Sequence, residues 1–354
     1  MNFIFKDQDA PTFDRLWNEY LATYNVDFQY TLAMIKYYLA YSHNLYADKS
    51  FVMEHNNHCV GICFLPIESH KNMLSISISN GYIIAPSTHS PHYEQLIFEH
   101  IDSICDTLNI AVIKFKLSPF IKTAFNKLRV YGFLDTTSTT GIVDLQETQE
   151  ALWTNLRKRY KPLINSLIKN NEYSLVYSDH TNFKILHDHY VEFHKIHMKN
   201  AGKIPKSNEI YDKQLNLLEN NLATIIAVQY KSTIIMTDYF FHDTINTVYA
   251  SSAYDTNEFF QNSPLNHYLL WHAMLYFKER DFKIFGFGEP CSLNRINGFA
   301  DYADAKELSI SHFKKGMGIE MIYHIQGIKF FKEEPLLQLI DQFKSEVINE
   351  FQQH

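Results

Sequence analysis

Four groups of residues in this chain have the types and spacing to do chemistry. The first is the run Arg157, Lys158, Arg159 and Lys161, cations with no carboxylates set against them. Such a run suits a phosphate or diphosphate, because guanidinium forks bind those groups through paired hydrogen bonds. The second is Gly286-Phe287-Gly288-Glu289-Pro290. Gly286 and Gly288 let a ligand approach the backbone, and Glu289 leaves a strand where ligand clefts form. A carboxylate there, with its pKa raised toward neutrality, acts as general base for an attacking amine. The third is Phe313-Lys314-Lys315-Gly316-Met317-Gly318, read as a strand edge running into a glycine-flanked turn. Lys314 facing a cleft neutralises phosphate or supports a developing oxyanion. The fourth is Asn262-Ser263-Pro264 at the start of a helix, where a serine cap, a proline and free first-turn amides together receive an anion.

These groups sit in a chain whose second half repeats the layout of its first at an offset of roughly 170 to 175 residues. The first copy reads helix (12–24), helix (28–41), hairpin (51–54 with 60–65), strand (74–84), helix (91–108) and strand (111–117). The second reads helix (183–199), helix (208–221), hairpin (224–229 with 234–241), strand (247–253), helix (264–280) and strand (283–287). Ser-Pro opens the long helix in both, as Ser90-Pro91 and Ser263-Pro264. The copies differ at their ends, since Leu117-Ser118-Pro119 stands where the second copy has its glycine pair and acid. Between them, residues 147–169 form a bridging helix with Trp153, Leu156, Tyr160, Leu163, Ile164 and Leu167 on one face, and Pro162 kinks or breaks it. The expected domains are therefore 1–146, a bridging basic helix at 147–170, 171–334 with the working site, and a docking helix at 335–354. The fold class is α/β (α+β).

With 354 residues, 46% hydrophobic and 20% charged, the chain can bury two cores, and a net charge of -7 argues against binding nucleic acid over its whole surface. Cys59, Cys63, Cys105 and Cys291 are too scattered for a disulfide framework and read as reduced packing residues. Of eighteen histidines, the densest group is His187, His189, His194 and His197. His194 and His197 share one helix face, His189 and Glu192 another about 140° away, so they do not converge on one ion and no metal is expected. No leader and no apolar run long enough to cross a bilayer is visible, which places the chain in the cytoplasm. Arg295-Ile296-Asn297-Gly298-Phe299-Ala300 fits the loop by which many acetyltransferases cradle the pyrophosphate of coenzyme A, but that loop belongs before the long helix, where 254–263 holds no glycine.

The bridging run from Leu152 to Lys161, Ser263-Pro264 to Trp271, Gly286-Phe287-Gly288 and Phe313 to Gly318 together resemble the FemAB-like branch of the GNAT acyltransferases. The resemblance implies two tandem GNAT-like domains, each a mixed central sheet flanked by helices, and transfer of an acyl or aminoacyl group to an amine. It implies site roles for Lys314, Arg157 and Arg159. The long coiled-coil arm of some peptidoglycan-bridge ligases has no counterpart here.

Amide formation from an activated donor needs a neutral amine, an oxyanion donor and alignment. Glu289 is the expected base, Lys314 the oxyanion or phosphate support, and Tyr254 or Tyr239 the proton donor to the leaving group; Arg157, Arg159, Lys161, Gly286 and Gly288 bind substrate, and Asn262 and Ser263 the co-substrate. Three readings follow. The leading one is an N-acyltransferase taking an acyl group, chiefly acetyl, from acetyl-CoA or another acyl-CoA to an amino sugar, such as a nucleotide-linked sugar, or another cell-envelope precursor. The second is an aminoacyl-tRNA-dependent peptidoglycan-precursor ligase, and the third a non-catalytic binding protein on the same scaffold.

Overall fold

The computed structural model describes residues 1–354 except 25, 71, 122, 124, 255–259, 261, 289–304 and 354. The chain forms two compact units, one beginning at Met1–Ser138 and resuming at Tyr323, the other beginning at Thr139 and running to Ile322. The C-terminal helix, expected as a separate element, thus shares a unit with the first segment. The fold is mixed α/β throughout.

The first unit runs β1 (Asn2–Phe5), α1 (Ala10–Thr23), α2 (Leu32–Ala40), β2 (Leu45–Asp48), β3 (Phe51–His55), β4 (His58–Cys63), β5 (Pro66–His70), β6 (Met73–Ile76), β7 (Ile83–Ile84), β8 (Ser87–Thr88), α3 (Pro91–Leu108), β9 (Ile110–Lys116) and β10 (Leu134–Asp135). The second runs β11 (Ser138–Asp144), α4 (Gln149–Asn155), α5 (Tyr160–Ile168), β12 (Tyr173–Tyr177), α6 (Phe183–Asn200), α7 (Asn208–Glu219), β13 (Ala223–Tyr230), β14 (Thr233–His242), β15 (Asn246–Tyr254), α8 (Leu265–Lys278), β16 (Ile284–Gly288), α9 (Ala305–Gly316) and β17 (Glu320–His324). β18 (Gln326–Phe330) and α10 (Glu333–Gln353) return to the first unit. The strands of the second unit form one sheet ordered β12-β13-β14-β15-β16-β11-β17. Those of the first divide into β1-β3-β4-β8 and β10-β18-β9-β6-β5-β2, with β7 also on β9.

The expected repeat is present, with local corrections. In the second unit β14 is one continuous strand pairing with both β13 and β15. Its counterpart breaks into β4, which pairs with β3, and β5, which pairs with β6. Pro66 stands at the break, where a residue without an amide hydrogen interrupts a ladder at least cost. The single strand expected at 74–84 is also interrupted. β6 and β7 both lie parallel to β9, joined by a turn in which Ser79 and Asn80 take left-handed conformations, φ 48° and 60°.

The buried carboxylate of Glu68 holds that turn. It accepts hydrogen bonds from Ser42 Oγ at 2.6 Å, Ser77 Oγ at 2.9 Å, and the amides of Ser79 at 2.8 Å and Asn80 at 3.2 Å. Burial alone would raise the Glu68 pKa, but these donors outweigh it and hold the group below the usual carboxylate range. A lowered folded pKa contributes stability above the unfolded value of about 4.3, and that stability is lost as pH falls. Glu68→Gln is therefore expected to lower unfolding stability at pH 7 by about 2 kcal/mol. The deficit measured by urea titration should shrink below about pH 4 as the wild-type group protonates. Equal stability at pH 7 would show that the turn does not depend on this carboxylate.

Candidate active site

The site is built where two parallel strands part. β15 and β16 pair only over Asn246–Val248 against Ile284–Gly286, after which β15 follows β14 to Tyr254 and β16 follows β11 to Gly288. Each strand is bulged beside the parting. On β15, Tyr239 of β14 faces Ser251 and Phe240 faces Tyr249, which leaves Ala250 over; on β16, Gly141 faces Gly288 and Ile142 faces Gly286, which leaves Phe287 over. An extra residue sharpens local twist, so the strands diverge.

At the far end of β15, past the parting, lies a cleft of about 380 Å³. Met236 and Tyr254 line it from the sheet, Asn262 to His267 from the start of α8, Leu163 from α5 and Phe313 from α9. Pro264, not Ser263, is the cap residue of α8, and it makes no side-chain capping bond. The Leu265 amide donates to Ser263 O at 2.8 Å and the Tyr268 amide to Pro264 O at 3.2 Å. Asn266 Oδ1 is buried in the cleft wall with no hydrogen-bond partner among the described residues.

The bridging segment supplies the opposite wall and differs from the expected single helix. It is broken at Leu156–Arg159, upstream of Pro162, and the basic run is the break. Pro162 is the third residue of α5, where its missing amide hydrogen would have had no partner. The break is held from outside: the Arg157 amide donates to Gly316 O at 2.8 Å. Gly316 and Gly318 have a packing reason. A Cβ on Gly316 would lie 2.2 Å from the Tyr160 ring, and one on Gly318, whose φ is +84°, would lie 3.1 Å from Asn155. The segment Phe313–Gly316 is accordingly the last turn of α9, not a strand edge.

Tyr160 organises the cations. Its ring lies under the Arg157 and Arg159 guanidinium groups at 5.3 and 5.7 Å, its hydroxyl accepts from Arg157 Nη1 at 3.3 Å, and its edge meets His267 at 4.3 Å. Burial, and then the Arg159 charge, pull His267 down to about 4, so it is neutral at pH 7. Lys314 of α9 reaches the end of β16, where a Cβ on Gly288 would be 3.8 Å from its Nζ.

Arg157 and Arg159 thus share the Tyr160 ring and Lys314 reaches Gly288, while Asn262, Ser263 and Tyr254 line the cleft. Gly286 marks the last parallel pair. Lys161 is turned elsewhere, donating to Thr154 O at 3.2 Å. Tyr239 is not brought to the cleft: it is fully buried on the opposite sheet face, its hydroxyl donating to Gln214 O at 2.7 Å. Glu289 and the segment from Arg295 to Ala300 lie outside the described residues, as does Cys291, while Cys59, Cys63 and Cys105 are free and buried. Among the described residues no three His, Cys, Asp or Glu side chains gather as metal ligands do, and no helix is long and apolar enough to cross a membrane.

Sequence reasoning missed His267 and Asp238. Asp238 lies on the α8 face of β14 between Met236 and Phe240, and Phe240 packs on Phe277 of α8 at 5.5 Å. Both Asp238 carboxyl oxygens are buried with no partner among the described residues. Burial pushes its pKa well above the carboxylate range. The signal in the sequence was an acid inside an otherwise apolar strand.

No protein-family model matches the sequence, and no curated protein matches it in sequence. Solved structures do match. FemX superposes with a TM-score of 0.65 over 96% of this chain and 100% of its own, at 14% identity. The C-terminal domain of a putative lysylphosphatidylglycerol synthetase from Agrobacterium fabrum gives 0.58 over 94% and 96%, at 10% identity. L-PGS from Bacillus licheniformis gives 0.54 over 89% and 96%, also at 10% identity. The chain has the fold of FemX and of these two synthetase structures.

Two outcomes test this account of the site. Gly316→Ala should drive Tyr160 off its seat and cost about 1–3 kcal/mol in chemical unfolding; a variant as stable as wild type would show that the contact yields freely. Asp238→Asn should stabilise the protein increasingly as pH rises. The folded acid has a raised pKa, so its contribution is complete below the unfolded pKa of about 3.9 and declines above it, a slope the amide lacks. Parallel melting curves from pH 4 to 8 for the two proteins would refute the buried neutral acid.

Proposed function

We propose that the chain is an acyltransferase that moves an acyl group from an activated donor in the cleft of the second unit to an amine at the split between β15 and β16. The parting of β15 from β16 carries this reading. It opens a sheet edge from within, beside the first turn of α8 and beside the arginines and lysine gathered round Tyr160 and Gly288. Donor phosphates suit the cationic side, and the carbonyl then lies toward the split. In this reading Lys314 supports the oxyanion, Tyr254 protonates the leaving group, and Glu289, next after Gly288, takes a proton from the attacking nitrogen.

The donor in the leading form is acetyl-CoA or another acyl-CoA, with an amino sugar or other cell-envelope precursor as acceptor. A second form, an aminoacyl-tRNA-dependent ligase, is favoured by two observations of its own. The residues from Tyr254 to Pro264 contain no glycine with which to wrap a diphosphate, and a lysylphosphatidylglycerol synthetase domain shares the fold at a TM-score of 0.58.

The test is donor-dependent stabilisation and turnover. At a hundredfold excess over its dissociation constant, the true donor should stabilise the native state by about 2.7 kcal/mol. Thiol release from acetyl-CoA in the presence of glucosamine or UDP-glucosamine supports the first form, and transfer of label from aminoacyl-tRNA to a peptidoglycan precursor the second. Stabilisation by a donor with no transfer to any amine would mean a binding protein. With the active donor, Lys314→Ala should lower kcat by about 10²–10³-fold, as loss of one oxyanion donor does. Undiminished kcat would remove Lys314 from the chemistry.

A further inference from the structure

A second polar group lies on the opposite face of the same sheet, and the cleft does not use it. β15 carries Ser251 three residues beyond Val248, the last residue that β16 pairs. Ser251 is partly exposed, and its Oγ is 2.7 Å from the Tyr190 hydroxyl of α6. Two further groups donate to that hydroxyl at 3.4 Å: Lys206 Nζ, from the segment joining α6 to α7, and Gln214 Nε2 of α7. Tyr190 and Gln214 are fully buried, while Lys206 is half-buried. A line of hydrogen bonds thus runs from the split strand, through a buried phenol, to a half-buried amine.

The surroundings make the lysine the group that exchanges a proton. Tyr190 and His194 face it from α6, Tyr211 and Gln214 from α7, and Asp238 of β14 lies on the other face of the sheet. Burial pulls Lys206 down to about 8. It also pulls His194 down to about 4, with the Lys206 charge as the next cause, and pushes Tyr190 up to about 12. Near neutrality His194 is therefore uncharged and Tyr190 keeps its proton. Gln214 Oε1 is buried and has no partner among the described residues, so its amide group is free to keep Nε2 on Tyr190 in either state of the line.

We propose that Ser251, Tyr190 and Lys206 form a proton path that takes the first proton from the acceptor ammonium, which enters the split on the α6 side. The proposal rests on the acyltransferase reading. An ammonium must lose two protons to become an amide nitrogen. The first passes to Ser251 Oγ as the serine proton moves to Tyr190 and the tyrosine proton to Lys206 Nζ; the line then points the other way, and Lys206 returns its proton to water. The neutral amine attacks the acyl carbonyl, the bond from carbonyl carbon to donor oxygen or sulfur breaks, and the second proton leaves with that group.

The experiment has two arms. With the donor and amine that wild type turns over, Lys206→Met should lower kcat by about 10²-fold or more and remove a limb near pH 8 from the rate profile, with an unchanged melting temperature. Ethylamine in the buffer should restore part of the rate to Lys206→Met and none to Tyr190→Phe, and Glu289→Gln should keep the limb. A Lys206→Met enzyme with wild-type kcat and pH profile would overturn the path. The second arm needs no substrate: acetic anhydride labelling at a series of pH values, read by mass spectrometry. Lys206 should be half-reactive near pH 8, whereas surface lysines follow a pKa of about 10.4. A Lys206 that titrates with the surface lysines refutes the path alone. Failure of wild type to turn over any donor refutes the acyltransferase reading instead.

Discussion

Two parallel strands that share only three paired residues set the terms for the rest of the second unit. Backbone groups inside a sheet are ordinarily satisfied by their neighbours, so a sheet that opens from within must be held open by what lies around it. Bulges at Ala250 and Phe287 turn the strands apart. The hairpin of β13 and β14 keeps β15 straight on one side, and β11 does the same for β16 on the other. Helices then cover both faces of β14 and β15: α8 packs on Phe240, and α6 and α7 engage Ser251 and Tyr239. The polar groups near the opening, Asp238 on one face and the Tyr190 line on the other, owe their placing to the alternation of side chains along those strands.

The first unit shows what the same plan becomes without an opening. There the chain doubles back after β6 and returns as β7 to continue the pairing with β9, so the equivalent gap is filled. One buried carboxylate, Glu68, supplies the acceptors that this detour requires. Two units of one layout thus differ by whether a strand pair is completed, and Lys314 reaches the end of β16 in the pair that is not.

Much of this is legible in the sequence, for reasons that can be traced. The helix–helix–hairpin–strand–helix–strand order is readable because apolar spacing and Ser-Pro helix starts are local signals. Lys314, Gly288, Arg157 and Arg159 are readable as candidates because glycine pairs and unmatched cations are unusual. What the sequence hides is long-range. The break at Leu156–Arg159 depends on Gly316, more than 150 positions away, and so a local reading credits Pro162 with a role it does not have. Phe313–Lys314 reads as strand because two lysines and a glycine resemble a strand edge as much as a helix end. Tyr239 reads as a partner of Tyr254 in the chemistry, but the pleat sets it on the other face. β17 and β18 escape a local reading, since five-residue strands between helices carry little periodicity.

β18 lies between β9 and β10, and Gln326 O accepts from Asn126 Nδ2 at 2.7 Å and from the Thr136 amide at 3.1 Å. An inner strand of the first unit's sheet, next to its edge strand β10, is therefore made of residues that leave the ribosome after the whole second unit has been synthesised. The order of folding is inverted relative to the order of synthesis. The second unit can close while the first waits with the edges of β9 and β10 unpaired, which makes the N-terminal half, though made first, the part that depends longest on protection from its own exposed strands.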